Sequence, residues 1–333
     1  MRHPTMEDVA RGAGVSRALV SLVFRDSPRV SDRSRARVLQ VADQLGYRPN
    51  AMARGLASRH GRTVGVLIND LHNPFFAEIV DGIEALADAL GFRLLLGHGG
   101  GSARELSVLG TILEFRPAGL VLLSPDTPSG VIAQQVGGVP VVVVGRPVRR
   151  PGMDTVVNDE AHGARLAVEH LHDLGHRRIA HVIGGARGAG ARQRARGYGV
   201  AMRALGLGAD ACVVPGGFTE QDGVEAAARI LADGEPPTAI FAANDLVAVG
   251  VMAVLDDHGL AVPGDVSLVG YDNSALARVR HVDLTTVNQP RHEMGQLALA
   301  CLLERIRGER DRAVLHRITP TLVVRSSTAA PRA

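Results

Sequence analysis

Between residues 64 and 269 the chain repeats one pattern: a short run of Val, Leu and Ile, a polar turn, an amphipathic stretch of helical period, then another apolar run. A first series of runs lies at 64–68, 93–96, 120–123 and 141–144, with amphipathic stretches such as 76–90 and 103–115 between them. A second lies at 179–183, 211–214, 239–242 and 266–269, separated by helical stretches including 163–174, 197–205 and 246–257. Runs that are apolar without alternation are buried on both faces, and strands alternating with helices pair in parallel under helical cover. The chain is therefore expected to fold its larger part as two doubly wound parallel-sheet subdomains. Ligands in such sheets bind beyond the carboxyl ends of the strands. The residues there are Asn69 and Asp70, Ser124, Asn158 and Asp159 after a short strand at 155–157, Asn244 and Asp245, and Asp272 and Asn273. Asn and Asp also favour helix caps and turns, and for each residue taken alone that reading stands beside the first.

The residues before this α/β part follow a different rule. Met6, Val9, Ala10 and Ala13 form one stripe of a helix opening at Thr5, where Asp8 is placed to close a weak capping box. Gly12 and Gly14 break it, and Ser16 is a good N-cap for a second helix with Leu19, Val20, Val23 and Phe24 on one face. The opposite face carries Arg17, Ala18, Ser21, Leu22 and Arg25. Two short helices joined by a tight glycine turn, the second with short and basic side chains outward, are suited to reading a DNA major groove. A third helix is expected from Ser31, with Val38, Val41, Ala42 and Leu45 closing a small core and Arg33, Arg35 and Arg37 outward. Residues 50–58 are too few for a helix that stands alone, and Gly55 weakens it, so this segment is expected to fold only on DNA.

Charge follows the same division. The chain of 333 residues carries +3, yet residues 1–62 hold twelve Arg against five acidic residues, a net of +7 that leaves −4 for the rest. A basic headpiece on a mildly acidic body points to a nucleic-acid binder whose other part does something else. Lys is absent, so every basic contact to phosphate falls to Arg. No apolar run approaches a membrane span and the start MRHPTMEDVA lacks the apolar stretch of a secretory signal, so a cytoplasmic location is expected. Cys212 and Cys301 are far apart without a CxxC pair, and both are expected to be small buried residues.

The segment TMEDVARGAGVSRALVSLVF, followed by SPRVSDRSRARVLQVADQLGYRPNAMARGLAS, resembles the headpiece of the LacI/GalR family of bacterial transcriptional regulators. Further landmarks follow in order: Asn73-Pro74-Phe75-Phe76, Arg194 to Tyr198, Ala243-Asn244-Asp245, Val269-Gly270-Tyr271-Asp272 and Leu284-Thr285-Thr286-Val287 with Gln289. The resemblance implies an all-α helix-turn-helix headpiece (1–49), a hinge helix and linker (50–61) and a periplasmic-binding-protein-like α/β core (62–333). That core would comprise one subdomain of 62–160 plus 291–321 and another of 161–290 plus 322–333. It implies a DNA-contacting set of Thr5, Ser16, Arg17, Ala18, Ser21, Leu22, Arg25, Ser31, Tyr47, Asn50, Ala53, Arg54 and Leu56, the last wedged into the minor groove, where apolar wedges kink DNA. An effector between the subdomains would meet Phe75, Phe76, Asp159, Arg194, Phe218, Asn244, Asp272 and Gln289. These side chains suit a sugar or polyol, while an anionic or nucleobase effector would also suit Arg194. The partners implied are double-stranded DNA with a pseudo-palindromic operator, a carbohydrate-like effector and a second copy of the chain, with a tetramer left open.

Several residues depart from that resemblance. Family members usually have Arg at Leu22 and Asn at Arg25; Leu22, on the exposed face, is expected to meet a thymine methyl instead. Relatives often place Asp before Arg146, where this chain has Gly145 and loses a hydroxyl acceptor. The run Gly99-Gly100-Gly101 lacks GxGxxG spacing and, without Lys, cannot form a phosphate loop, so it is read as a flexible loop. No GxSxG elbow, HExxH or Cys-His signature is present, and His170 and His172 lie two apart on a helix. A repressor is the expected function, with no catalysis, cofactor or metal. The alternative is a sugar-binding protein of the same core fold without regulatory DNA binding.

Overall fold

Thr5 starts the first helix as its polar pattern demands: its hydroxyl accepts the Asp8 amide while the Asp8 carboxylate accepts the Thr5 amide at 2.9 Å, a complete capping box. The computed structural model describes residues 4–24, 26–48, 61–185, 188–232 and 236–332. The chain divides into two units, Met1–Gly61 and Arg62–Ala333.

In the first unit, helix α1 (Met6–Ala13) ends at Gly14, whose φ of 65° lies in the left-handed region open to glycine. Helix α2 (Arg17–Phe24) begins where the Ser16 hydroxyl accepts the Leu19 amide, and α3 (Asp32–Gln44) begins at Ser31 in the same way. Val9, Ala13, Val20, Val23, Val38 and Ala42 form the shared core. Three expectations need correction. Leu22 is half-buried and packs against that core rather than standing on a free face. Leu45 is 43% exposed, because it falls at the C-cap of α3, past the last helical turn that faces the core. Arg35 is not turned to solvent: its guanidinium donates to the Ser27 carbonyl at 2.8 Å and to Asp26 at 2.6 Å, clamping the turn between α2 and α3.

The second unit is built on two six-stranded sheets. The first contains β1 (Thr63–Ile68), β2 (Arg93–His98), β3 (Gly119–Leu123), β4 (Val141–Val144), β5 (Met153–Asn158) and β11 (Leu315–Ile318), in the order β11-β5-β4-β3-β1-β2. The second contains β6 (Ile179–Val182), β7 (Cys212–Val214), β8 (Ala239–Phe241), β9 (Ser267–Asp272), β10 (Thr285–Asn288) and β12 (Thr321–Val323), in the order β12-β10-β9-β8-β6-β7. Their strands pair in parallel apart from β10 with β12, which run antiparallel, so the second sheet is mixed at one edge. Helices α4 (Pro74–Ala89), α5 (Ser102–Glu114) and α6 (Ser129–Val136) accompany the first sheet. Helices α7 (Glu160–Asp173), α8 (Ala189–Ala204), α9 (Glu220–Ala232) and α10 (Asp245–Asp257) accompany the second. Helix α11 (Arg291–Ile306) follows β10 yet packs back on α4 and the first sheet's core, with Met294, Ala298, Leu299 and Leu302 buried there. The chain thus passes between the sheets after β5, after β10 and between β11 and β12.

Gly99, Gly100 and Gly101 do not form a free loop. The amides of Gly99 and Gly100 donate to the carbonyls of Ile68 and Asn69 at 2.8 and 3.1 Å, and Gly101 is the N-cap of α5. Cys301 is buried as expected, whereas Cys212 is exposed, since β7 is the outer strand of its sheet. Among the described residues no helix is long and apolar enough to cross a membrane.

Candidate effector site and DNA-reading face

The strand β5 ends at Asn158, and the next residues turn the chain toward the second sheet. Asp159 caps α7 by accepting the His162 amide at 3.1 Å, and it lies 3.8 Å from the Arg317 guanidinium. Glu160, the first residue of α7, faces inward. Its Oε2 accepts from Nε and Nη2 of Arg194 on α8 at 3.1 and 2.9 Å, and Nη1 of Arg194 donates to the Ala243 carbonyl. The guanidinium also lies over the Tyr271 ring, its central carbon 3.5 Å from the ring centroid. Burial pulls the Arg194 pKa down, but Glu160, Tyr271 and Asp272 outweigh it, so the group ends above the ordinary arginine value and keeps its charge. Burial and the same carboxylate push the Tyr271 phenol well above its usual range, leaving it a protonated donor.

Asp272 ends β9 and is buried, with φ at 109°. That conformation costs a non-glycine residue about 1–3 kcal/mol and persists only where neighbours impose it. Here Gln289 donates to Asp272 Oδ1 at 2.6 Å, while Arg291 at the start of α11 donates to the Asn273 carbonyl at 2.8 Å and to Glu78 on α4 at 2.7 Å. One guanidinium nitrogen thus joins the two halves of the core. Burial, then repulsion by neighbouring Asp245, raises the Asp272 carboxyl to about 8, against the pull of Arg194 and Arg291. Nε and Nη1 of Arg291 and Oδ1 of Asn158 are buried without a hydrogen-bond partner in the protein. Groups of that kind are where a polar ligand gains most.

The remaining expected residues fall in other positions. Asn244 caps α10 by accepting the Val247 amide at 2.9 Å and donates to the Phe218 carbonyl at 3.0 Å, so its side chain is engaged on both sides. Phe218 is half-buried against the second sheet's core. Phe75 and Phe76 meet edge to face at 5.2 Å and sit in the core of the first sheet, 8% and 7% exposed. The structure therefore gathers Arg194, Asp272 and Gln289, links Asn244 to Phe218, and places the two phenylalanines in packing. Sequence reasoning named Asp245 at a strand end but passed over Glu160, Tyr271 and Arg291 as site residues. Glu160 stands one residue beyond the pair read after β5, so extending that search by one position would have reached it.

On the DNA-reading side, Arg17 and Ala18 are exposed at the start of α2, and Ser21 is half-exposed. The side chains of Thr5, Ser16 and Ser31 serve as N-caps. Tyr47 is half-buried, its ring 5.6 Å from that of Phe24. Arg25, Asn50, Ala53, Arg54 and Leu56 lie outside the described residues.

A helix-turn-helix unit ahead of a two-sheet core with a polar cluster at the strand ends defines a ligand-responsive DNA-binding regulator. Residues 5–50 match the family of bacterial regulatory proteins of the lacI type, and residues 168–328 match the periplasmic binding protein-like domain. The HTH-type transcriptional repressor PurR of Erwinia tasmaniensis is 34% identical over 98% of this chain and 97% of its own length. The lac repressor dimer bound to operator and the anti-inducer ONPF superposes with a TM-score of 0.86 at 28% identity, covering 99% of this chain and all of that one (100%). The transcriptional regulator CelR in complex with cellobiose superposes at 0.73 and 33% identity, covering 97% of this chain and 99% of its own. The chain belongs to the lacI family of bacterial regulatory proteins.

Proposed function

We propose that this protein is a transcriptional repressor acting in the cytoplasm as a homodimer on a pseudo-palindromic operator, without catalysis of its own. Its operator affinity is set by a small polyhydroxy metabolite held between the two halves of the core. The observation that carries this reading is the cluster of Arg194, Asp272 and Gln289, with the partnerless Nε and Nη1 of Arg291, by the carboxyl ends of strands in a chain whose N-terminal unit exposes Arg17 on a reading helix. Support for a sugar comes from the donor and acceptor set and from the cellobiose complex of CelR. Arg17, Ala18 and Ser21 are assigned to base and phosphate contacts, and the part of Leu22 left uncovered by the core to a base methyl, joined by Arg25, Asn50, Ala53, Arg54 and Leu56. The caps Thr5, Ser16 and Ser31, with Tyr47, are assigned to backbone contacts that fix the register.

The core is proposed to hinge where the chain passes between sheets, near Asp159, Gln289 and Thr321. An effector changes operator affinity only through its different affinity for the two arrangements of the halves. Selection of bound sequences from random duplexes by the intact chain, with and without added sugars, tests the reading. A palindromic site with a central pyrimidine-purine step whose occupancy responds to a sugar is the expected result. Sequence-independent, salt-sensitive binding under every condition would overturn it in favour of a plain binding protein.

A further inference from the structure

Accepting that a metabolite binds at the Arg194 cluster, the next question is what charge it carries. A lone buried arginine would attract a phosphate or carboxylate, and Arg194 is not alone. Its Nε and Nη2 both donate to one oxygen of Glu160, its Nη1 is held by the Ala243 carbonyl, and the Tyr271 ring covers one face. Side-chain exposure is 6% for Arg194 and 9% for Glu160, so water does little to screen the pair. Removing one partner of such a pair leaves an uncompensated buried charge, which is strongly unfavourable. An anion competing for the guanidinium would have to displace or face that carboxylate.

The second buried cation of the region repeats the arrangement. Arg291 is 3% exposed and lies 2.7 Å from Glu78, with Asp245 and Asp272 also close enough to influence it electrostatically. Arg146, at the end of β4, faces Glu105 and Asp126. Each of these guanidinium groups thus has a carboxylate nearby, although Arg291 shares Glu78 with Arg278. What the arginines still offer is N–H groups, including Nε and Nη1 of Arg291, which suit the lone pairs of neutral hydroxyls.

We propose that Glu160 is the specificity-determining residue of this site: by holding the Arg194 charge in a buried pair it confines the effector to uncharged polyhydroxy compounds and excludes their phosphates and carboxylates.

The test uses the full chain and six probes: ribose, glucose and cellobiose as neutral sugars, with ribose 5-phosphate, glucose 6-phosphate and gluconate as anions. Binding is read by calorimetry and by the shift in thermal midpoint. Neutral probes are expected to bind at least about tenfold tighter than their anionic counterparts. Glu160→Gln, which frees the Arg194 charge, is expected to narrow or invert that ratio by about tenfold or more. Glu160→Asp, which keeps the charge, is expected to preserve it. Should Glu160→Gln fail to fold, the wild-type ratio and Glu160→Asp still decide. An anionic probe that binds wild type as tightly as its parent sugar, or an unchanged ratio in folded Glu160→Gln, overturns the inference and leaves the effector site standing. Absence of binding by all six probes to wild type and to Glu160→Gln overturns the sugar-effector reading and the inference with it.

Discussion

Gln289 donates to Oδ1 of Asp272 at 2.6 Å, whereas neighbouring Asp245 accepts from the Thr286 hydroxyl at 2.6 Å and from the Ser274 amide at 2.7 Å. Burial raises both carboxyls, and repulsion by Asp245 raises Asp272 further. With its carboxyl at about 8, Asp272 carries the proton at neutral pH and can donate to a ligand oxygen. A buried acid at the candidate site is therefore neutral at neutral pH.

That assignment fixes a pH dependence. Asp272 rises from an ordinary 3.8 to about 8 in the folded chain, so folding favours its protonated form. Its contribution to stability is whole below 3.8, declines as pH rises and is lost through about 8. Asp272→Asn mimics the protonated acid at every pH. The variant should match wild type in urea unfolding near the acid end of that window and exceed it progressively toward the alkaline end. Parallel stability curves would show that Asp272 keeps its ordinary pKa in the folded chain.

In the headpiece, two arginines that look alike in sequence should behave differently. Arg17 is exposed on α2, so Arg17→Ala should weaken operator binding by about 1–3 kcal/mol with headpiece stability unchanged. Arg35 clamps the Ser27 carbonyl, and Arg35→Ala should lower stability by about 1 kcal/mol, seen as faster amide exchange in α2 and α3. Its exposed Asp26 partner adds little. Equal loss of exchange protection in the two variants would refute the division.

What could be read in the sequence was what depends on near neighbours. The caps at Thr5, Ser16, Ser31, Asp159 and Asn244 and the apolar strands β1, β3, β4 and β9 follow from local pattern. Strands β11 and β12 escaped that reading because LHRI and TLV are short, half-exposed edge strands whose identity comes from β5 and β10 beside them. The return of α11 to the first sheet came from the family resemblance, which assigned 291–321 to the first subdomain, and from no local pattern. In the site, Glu160 and Arg194 are separated by 34 residues, and Asp245 and Thr286 by 41. No local spacing encodes those meetings; the order of strands brings them about. Asn244 shows the converse, since capping and a possible ligand contact draw on the same residue type, and the structure gives its side chain to the cap.

A second carboxylate tests the core away from the site. Asp154 on β5 is fully buried and receives two hydrogen bonds from Arg305 and two from Arg310, with a further one from the Val314 amide at 2.9 Å. Burial opposes its ionisation, but those donors win and hold it at about 2, below its ordinary 3.8. Its contribution is present above 3.8 and is lost as pH falls through about 2. Asp154→Ala strands the buried Arg305 guanidinium, while Arg310 keeps Glu304, and should destabilise the core by about 3–5 kcal/mol in urea unfolding at neutral pH. A loss within experimental error would mean the arginines find water instead.

Gly145 turns a departure from the family into a steric prediction. It follows β4 with φ at 88°, and a Cβ built there would lie 2.2 Å from the Ser124 hydroxyl. The site where relatives often carry Asp is thus closed here twice over, by backbone conformation and by its neighbour. Restoring the acid with Gly145→Asp should not rebuild a ligand contact; it should destabilise the core by about 1–3 kcal/mol. Ser124→Ala beside Gly145→Ala separates the two causes, because it removes the colliding hydroxyl and leaves the left-handed backbone at both positions. The double variant should recover part of the loss of Gly145→Ala and stay below wild type in unfolding midpoint. Full recovery would assign the whole effect to Ser124, and no recovery would assign it to the backbone alone.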